Sequence, residues 1–239
     1  MSTRPFLTAE WRDLIMANYI VDPSLLSMYL PSKTELDFYD GQCYVSLVGF
    51  MFRNVRVMGL SIPLHTDFPE INLRFYVRYK SNNEWRRGVV FIKEIVPKYA
   101  ITLLANTVFG QNYTTLKMKS FHQDIGDYME TGYEWKYQDK WNKLVAKAGK
   151  RSTPIRQNRF NEFIADHYYG FRKNGETKTY QYEVEHELWE TFNVIDYSVD
   201  CDFGSLFGKE FSILNEAKPN SVFMLKGSEI RIHQRTLLE

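Results

Sequence analysis

The chain runs to 239 residues, long enough for one large domain or two small ones, and its 44% hydrophobic and 16% aromatic content is enough for a sizeable core that leans toward strands. Thirty basic residues against 29 acidic ones leave a formal charge of +1, which excludes a global field drawing in nucleic acid or an anionic membrane. Cys43 and Cys201 are the only cysteines, which argues against a disulfide scaffold or a thiolate metal site; with no signal-like apolar run at Met1 to Phe6 and no stretch near the ~18 apolar residues of a membrane span, a cytoplasmic protein is expected.

Asp13 to Val21 reads as a strand, led in by Phe6 to Trp11. Asp22-Pro23 has the form of an N-cap followed by proline at the first helical position, so Leu25, Leu26 and Tyr29 are expected in a short helix that stops near Pro31. Glu35 to Tyr39 is a brief strand, Asp40-Gly41 a hairpin turn, and Cys43 to Met51 a long buried strand. From Glu70 to Lys80, Ile71, Leu73, Phe75, Val77 and Tyr79 share one apolar face, while Glu70, Asn72, Arg74, Tyr76 and Arg78 share the other. That polar row either meets water or lines an interior, and alternation alone does not choose. Ser81 to Glu84 is a turn, and Gly88 to Ile95 is apolar on both faces apart from Lys93-Glu94, the mark of a central strand.

Lys98 to Phe109 places Ile101, Leu104, Ala105 and Val108 at helical spacing and meets Gly110 as a stop. Tyr113 to Lys119 alternates again, with Leu116 and Met118 opposite Lys117 and Lys119, and a further strand lies within Ile125 to Tyr137. From Lys136 to Arg159 basic residues face Asp139 alone; with few aromatics, this segment is expected to be a solvated insertion or flap and not a nucleic-acid site. Asn158 to Ala165 is a short amphipathic helix, His167 to Phe171 a strand, and Asn174-Gly175 a hairpin turn. Tyr180 to Leu188 sets Tyr180, Tyr182, Val184, His186 and Leu188 against Gln181, Glu183, Glu185 and Glu187, so the acids are expected in water. Thr191 to Cys201 and Ser221 to His233 are two more strands. The expected fold is α+β: a single domain over residues 1–239, built on a large, mostly antiparallel sheet with a few short helices, as a monomer or homodimer.

Phe6-Leu7-Thr8-Ala9-Glu10-Trp11-Arg12, Val21-Asp22-Pro23-Ser24-Leu25-Leu26 with Leu30-Pro31, Asp40-Gly41 before Val45-Ser46-Leu47-Val48-Gly49-Phe50, and Glu70-Ile71-Asn72-Leu73-Arg74-Phe75-Tyr76-Val77, in that order, resemble the YqjF-like family of uncharacterised conserved bacterial proteins. The likeness continues through Phe163-Ile164-Ala165-Asp166-His167-Tyr168 and His186-Glu187-Leu188-Trp189, so it covers most of the chain. That family is in turn similar to acetoacetate decarboxylase, which implies a mostly antiparallel β-barrel with a few short peripheral helices and a cavity inside. The resemblance also implies a search for a Schiff-base lysine, because decarboxylating a β-keto acid needs an electron sink and an amine of depressed pKa supplies one as an imine. The signature of acetoacetate decarboxylase is a pair of adjacent lysines. This chain has no Lys-Lys anywhere, and Asn106 to Leu116, the segment that aligns there, offers Asn112, Tyr113, Thr114 and Thr115 instead.

Lys93 is the residual candidate amine, in an otherwise apolar strand where desolvation would lower its pKa; the commoner role is a lysine reaching out at a strand end or paired with another carboxylate. His186, on the inner-looking face with Tyr182 and Val184, suits acid-base work or ligand contact, although a hydrogen-bonded core histidine is the more frequent case. His186-Glu187-Leu188-Trp189-Glu190 begins like a zinc-protease motif but lacks the second histidine, so no metal is expected; without a phosphate loop, nucleophile elbow or dinucleotide fingerprint, no cofactor is expected either. Arg74 is the residue best suited to clamp a carboxylate, because its planar guanidinium makes two parallel hydrogen bonds, with Glu70, Asn72, Tyr76 and Tyr113 to shape the rest of a site. The expected function is lysine-independent binding of a small carboxylate- or carbonyl-containing metabolite; the alternative is a lyase, decarboxylase or isomerase acting on a keto acid in the same pocket.

Overall fold

The computed structural model describes residues 4–108 and 110–238, with the backbone alone at Val108. Its strands are β1 (Leu7–Val21), β2 (Glu35–Leu36), β3 (Cys43–Val57), β4 (Leu60–Ser61), β5 (Phe68–Ser81), β6 (Glu84–Val96), β7 (Tyr113–Thr115), β8 (Lys117–Ile125), β9 (Tyr128–Tyr137), β10 (Lys140–Pro154), β11 (Tyr169–Asn174), β12 (Lys178–His186), β13 (Glu190–Asp200), β14 (Ser221–Ile232) and β15 (Thr236–Leu237). Between them lie the helices α1 (Tyr99–Val108), α2 (Arg159–Ala165) and α3 (Phe203–Phe207), with 3-10 turns at Pro23–Leu26, Ile155–Gln157 and Lys209–Leu214. No helix among the described residues is long and apolar enough to cross a membrane.

Hydrogen-bonded neighbours run β15, β12, β11, β6, β5, β3, β1, β14, β13, β10, β9, β8. β12 also pairs with β14, placing Val184 opposite Ile232 and His186 opposite Ile230, so the ladder that leaves β12 through β11 comes back to it through β14. The described pairings are antiparallel except those of β6 with β7 and with β11. The turns follow from residue chemistry. Asn82 and Asn83 join β5 to β6 with φ of 48° and 67°, and Asp40-Gly41 takes 48° and 74°, the left-handed pair that Asn, Asp and Gly tolerate in a two-residue hairpin. A Cβ added at Gly88 would sit 2.3 Å from the carbonyl oxygen of Tyr169, so glycine there lets β11 lie directly beside β6.

Two cores flank the central strands. Ile71, Leu73, Phe75 and Val77 pack with Tyr133 and Trp135 of β9, Leu144 of β10 and the aromatics of α3. On the opposite side Val48, Phe50 and Phe52 of β3 meet Phe163 and Ile164 of α2 and Trp189. Burying one such side chain contributes ~1.5–3 kcal/mol, so the expected apolar face of β5 is a principal anchor of the fold.

The basic segment departs from expectation. It is no flap: β10 runs through it, paired with β9 on one side and β13 on the other, with Asn142, Leu144, Ala146 and Ala148 buried. Small alanines alternating with lysines carry a weak hydrophobic signal, and two partner strands make up for it. Lys140 pairs with Asp200 at 3.0 Å and Lys150 with Asp124 at 3.2 Å, so acids brought from elsewhere in the chain answer this charge. The single strand expected over Tyr113 to Lys119 is two, β7 beside β6 and β8 beside β9. The helix expected to Phe109 is α1 as far as Val108; Phe109 and the Val108 side chain lie outside the described residues.

Candidate functional site

The site begins with an irregularity. In the β5–β6 ladder Arg74 stands opposite Phe91, but the next pair is Leu73 with Lys93, which leaves Ile92 as the extra residue of a β-bulge. Val89 and Phe91 line a cavity, and in an unbroken strand Lys93 would be the next residue on that side. The bulge gives the position to Glu94. Lys93 goes to the opposite core, where its Nζ donates to the carbonyl of Leu206 near the C-terminal end of α3 and burial lowers its pKa.

The cavity encloses about 200 Å³ between β5, β6, β7, β12 and α1. Ile101, Leu104 and Ala105 of α1, together with Trp11 and Phe50, give it apolar walls. Its polar surface is concentrated where Glu70, Asn72 and Arg74 of β5 face Glu94 and Tyr113. Asn72 Nδ2 donates to Glu70 Oε1 at 2.9 Å, and the Tyr113 hydroxyl donates to Glu70 Oε2 at 2.9 Å. Burial raises the Glu70 carboxyl to about 7, against the pull of these two hydrogen bonds and the Arg74 charge. Burial, then the charge of Glu70, lifts Glu94 well above the carboxylate range. The Tyr113 phenol is pushed up in turn by burial and by both carboxyls. Two carboxyls this close and this dry do not both ionise at neutral pH, so the pair keeps a proton.

His167, between α2 and β11, adds to the polar lining, as do Gln111, Tyr182, His65 and His233. Burial, then the charges of Arg87 and Arg74, holds its imidazole well below the usual range and therefore neutral. Buried polar atoms are ordinarily hydrogen-bonded, and leaving one without a partner costs ~1–3 kcal/mol. Here Asn72 Oδ1, Arg74 Nε, Glu94 Oε2 and both ring nitrogens of His167 have no hydrogen-bond partner among the described residues, and all five atoms belong to side chains that line the cavity. Arg74 Nη2 donates to the Ile164 carbonyl at 3.3 Å, which anchors the guanidinium to α2 while leaving Nε uncommitted.

Of the residues singled out in the sequence, Glu70, Asn72, Arg74 and Tyr113 come together here. Tyr76 does not line the cavity: its hydroxyl is 2.5 Å from Ser46 Oγ, which donates to Asn18 Oδ1 at 2.6 Å, and its ring lies 4.9 Å from that of His167 as a support beneath it. His186 lies outside as well. Its ring is stacked between Tyr168 at 4.6 Å and Trp189 at 4.7 Å, with each nitrogen facing a backbone carbonyl, because β12 ends there against β14. Lys93 is removed by the bulge. Glu94, His167 and Tyr182 are cavity residues that sequence reasoning did not place in the site: Glu94 needed the bulge to be known, and His167 comes just after Asp166, the C-cap of the short helix α2, with no period of its own.

Solved structures share this fold. An acetoacetate decarboxylase from Legionella pneumophila matches with a TM-score of 0.65 and 16% identity over 99% of this chain and 88% of that one. The enduracididine biosynthesis enzyme MppR, complexed with pyruvate, matches at 0.69 and 15% over 100% and 92%. An acetoacetate decarboxylase-like enzyme from Sphingomonas wittichii RW1 matches at 0.66 and 12% over 99% and 94%. At such identities the likeness is one of fold. In sequence, the uncharacterized protein YqjF of Bacillus subtilis (strain 168) is 39% identical over 111 residues, 46% of this chain and 44% of that protein, so the match spans less than half of the curated relative's length. The DUF2071 profile, described as an uncharacterized conserved protein, matches residues 8–229, nearly the whole sequence, and the resemblance noted from Phe6 to Trp189 is thereby borne out: the chain belongs to the DUF2071 family.

Proposed function

We propose that the chain is one domain whose strands, from β12 through β11, β6, β5, β3, β1 and β14, close into a barrel, and that the cavity within binds a small carboxylate- or carbonyl-containing metabolite with an apolar body. The return pairing of β12 with β14 supports the closure. The observation that carries the binding reading is the set of five buried polar atoms, unpartnered among the described residues, on side chains lining one largely apolar cavity, with Arg74 Nε among them. Arg74 anchors the acid group, Asn72, His167 and the carboxyl pair meet the oxygens beside it, and the apolar walls take the carbon chain. No lysine reaches this surface among the described residues, so binding is non-covalent.

One fold neighbour was solved with pyruvate, a 2-oxo acid, which guides the choice of probe. Thermal unfolding with straight-chain 2-oxo acids of four to eight carbons tests the reading. At about a hundred times Kd a ligand adds ~2.7 kcal/mol, a rise of roughly 5–10 °C for a chain of this size. Arg74→Met is expected to remove that rise. A panel in which no acid raises the melting temperature, or in which the rise survives Arg74→Met, rules the reading out. Light scattering distinguishes monomer from homodimer.

A further inference from the structure

Resting on that binding reading, we infer that Glu70 and Glu94 act on the bound ligand as a base and an acid, moving a proton at the carbon beside its carbonyl and so enolising it without a lysine imine. The geometry divides the roles. Both oxygens of Glu70 accept hydrogen bonds, from Asn72 Nδ2 and from the Tyr113 hydroxyl at 2.9 Å each, an environment that favours the carboxylate. Glu94 Oε2 has no hydrogen-bond partner among the described residues, in a residue only 3% exposed, and that suits a carboxylic acid holding its proton for a guest. Glu94 stands opposite Asn72 across β5–β6 and beside Tyr113 across β6–β7, so Glu70 is its diagonal neighbour on the cavity side. Arg74 is the next cavity-facing residue of β5 after Asn72, which places a carboxylate anchor in the same row as the base.

The step balances within these groups. Glu70 takes the proton from the C3 carbon of a 2-oxo acid, the C–H electron pair becomes the C2–C3 double bond, and the carbonyl π pair moves to oxygen, which takes the proton of Glu94. The enol leaves Glu70 neutral and Glu94 charged, so the pair's total charge is unchanged. Running backward in D2O, the same step delivers deuterium to C3. His167, held neutral, is a further donor to the developing oxygen.

The test uses the full chain in D2O with 2-oxohexanoate, following the C3 methylene by proton NMR beside thermal unfolding with the same acid. The expected result is exchange roughly 10²-fold or more above buffer, the range general acid-base catalysis supplies. Glu70→Gln should return it to the buffer rate even at 2-oxohexanoate concentrations that saturate the variant's own thermal shift. Glu94→Leu, which removes the proton donor and leaves an apolar side chain in its place, is expected to lose exchange in the same way and serves as the second variant should Glu70→Gln fold poorly. Stabilisation by 2-oxohexanoate without exchange overturns this inference and leaves the binding reading standing. Exchange that survives Glu70→Gln, or a lysine adduct trapped by borohydride and seen by intact mass, also overturns it. If no acid of the panel stabilises the protein, both readings fall together.

Discussion

Along β5 the polar row Glu70, Asn72 and Arg74 is 2%, 1% and 8% exposed, whereas along β12, a strand with the same alternation, Glu183 and Glu185 stand in water and Glu185 reaches His233 at 2.7 Å and Arg231 at 3.5 Å. Both strands turn apolar residues to a core, Phe75 on one and Val184 on the other. The difference lies in what covers the second face. β5 runs between β3 and β6 with β9 and α3 packed on one side and α2 on the other, so both of its rows are enclosed. β12 turns only one row inward. A polar row with no other cover is a solvated face; one enclosed in an apolar cavity carries a desolvation cost that persists only where the row has some other use.

Four measurements break or sharpen this contrast. Phe75→Ala, on the apolar row of β5, is expected to lose roughly 3–5 kcal/mol in denaturant unfolding, because the residue is fully buried and its removal leaves a cavity in the core. A loss below about 1 kcal/mol would mean that this face is not the anchor of the sheet.

On the polar row of the same strand the sign reverses. The native state holds the Glu70 proton up to about 7 while the unfolded chain releases it near 4.5, so the folded form binds more protons between those values and stability falls as pH rises through that window. Below it both states are protonated and the cost vanishes. Glu70→Gln, whose new amide the Tyr113 hydroxyl can turn to accept, is therefore expected to raise the melting temperature by roughly 7–13 °C at pH 8 and to leave it nearly unchanged at pH 4. An equal shift at both pH values would show that ionisation is not the cost.

Lys93→Met probes the bulge. Losing the bond to the Leu206 carbonyl costs about 1 kcal/mol, while the stabilisation given by 2-oxo acids stays as it was. If ligand stabilisation vanished instead, Lys93 would have to reach the cavity. The smallest effect belongs to β12: Glu183→Ala, on its solvated row, is expected to stay within about 0.5 kcal/mol.

The sequence by itself determined which side chains share a face, where the chain turns and what chemistry is missing. Glu70, Asn72 and Arg74 are neighbours on one side of β5 because a strand alternates with period two, and Asn82-Asn83 and Asp40-Gly41 turn because these residues tolerate positive φ. The missing lysine pair is likewise a plain reading of the chain. Only the tertiary structure decided that the polar row of β5 is buried, that β10 is a strand and not a flap, that His186 is stacked outside the cavity, and that Glu94 occupies the position where an unbroken β6 would put Lys93. The physical reason is common to all four. Alternation and turn chemistry are local, set by each residue's own φ and ψ, whereas burial, strand partnership and the one-residue slip of a bulge depend on neighbours far along the chain.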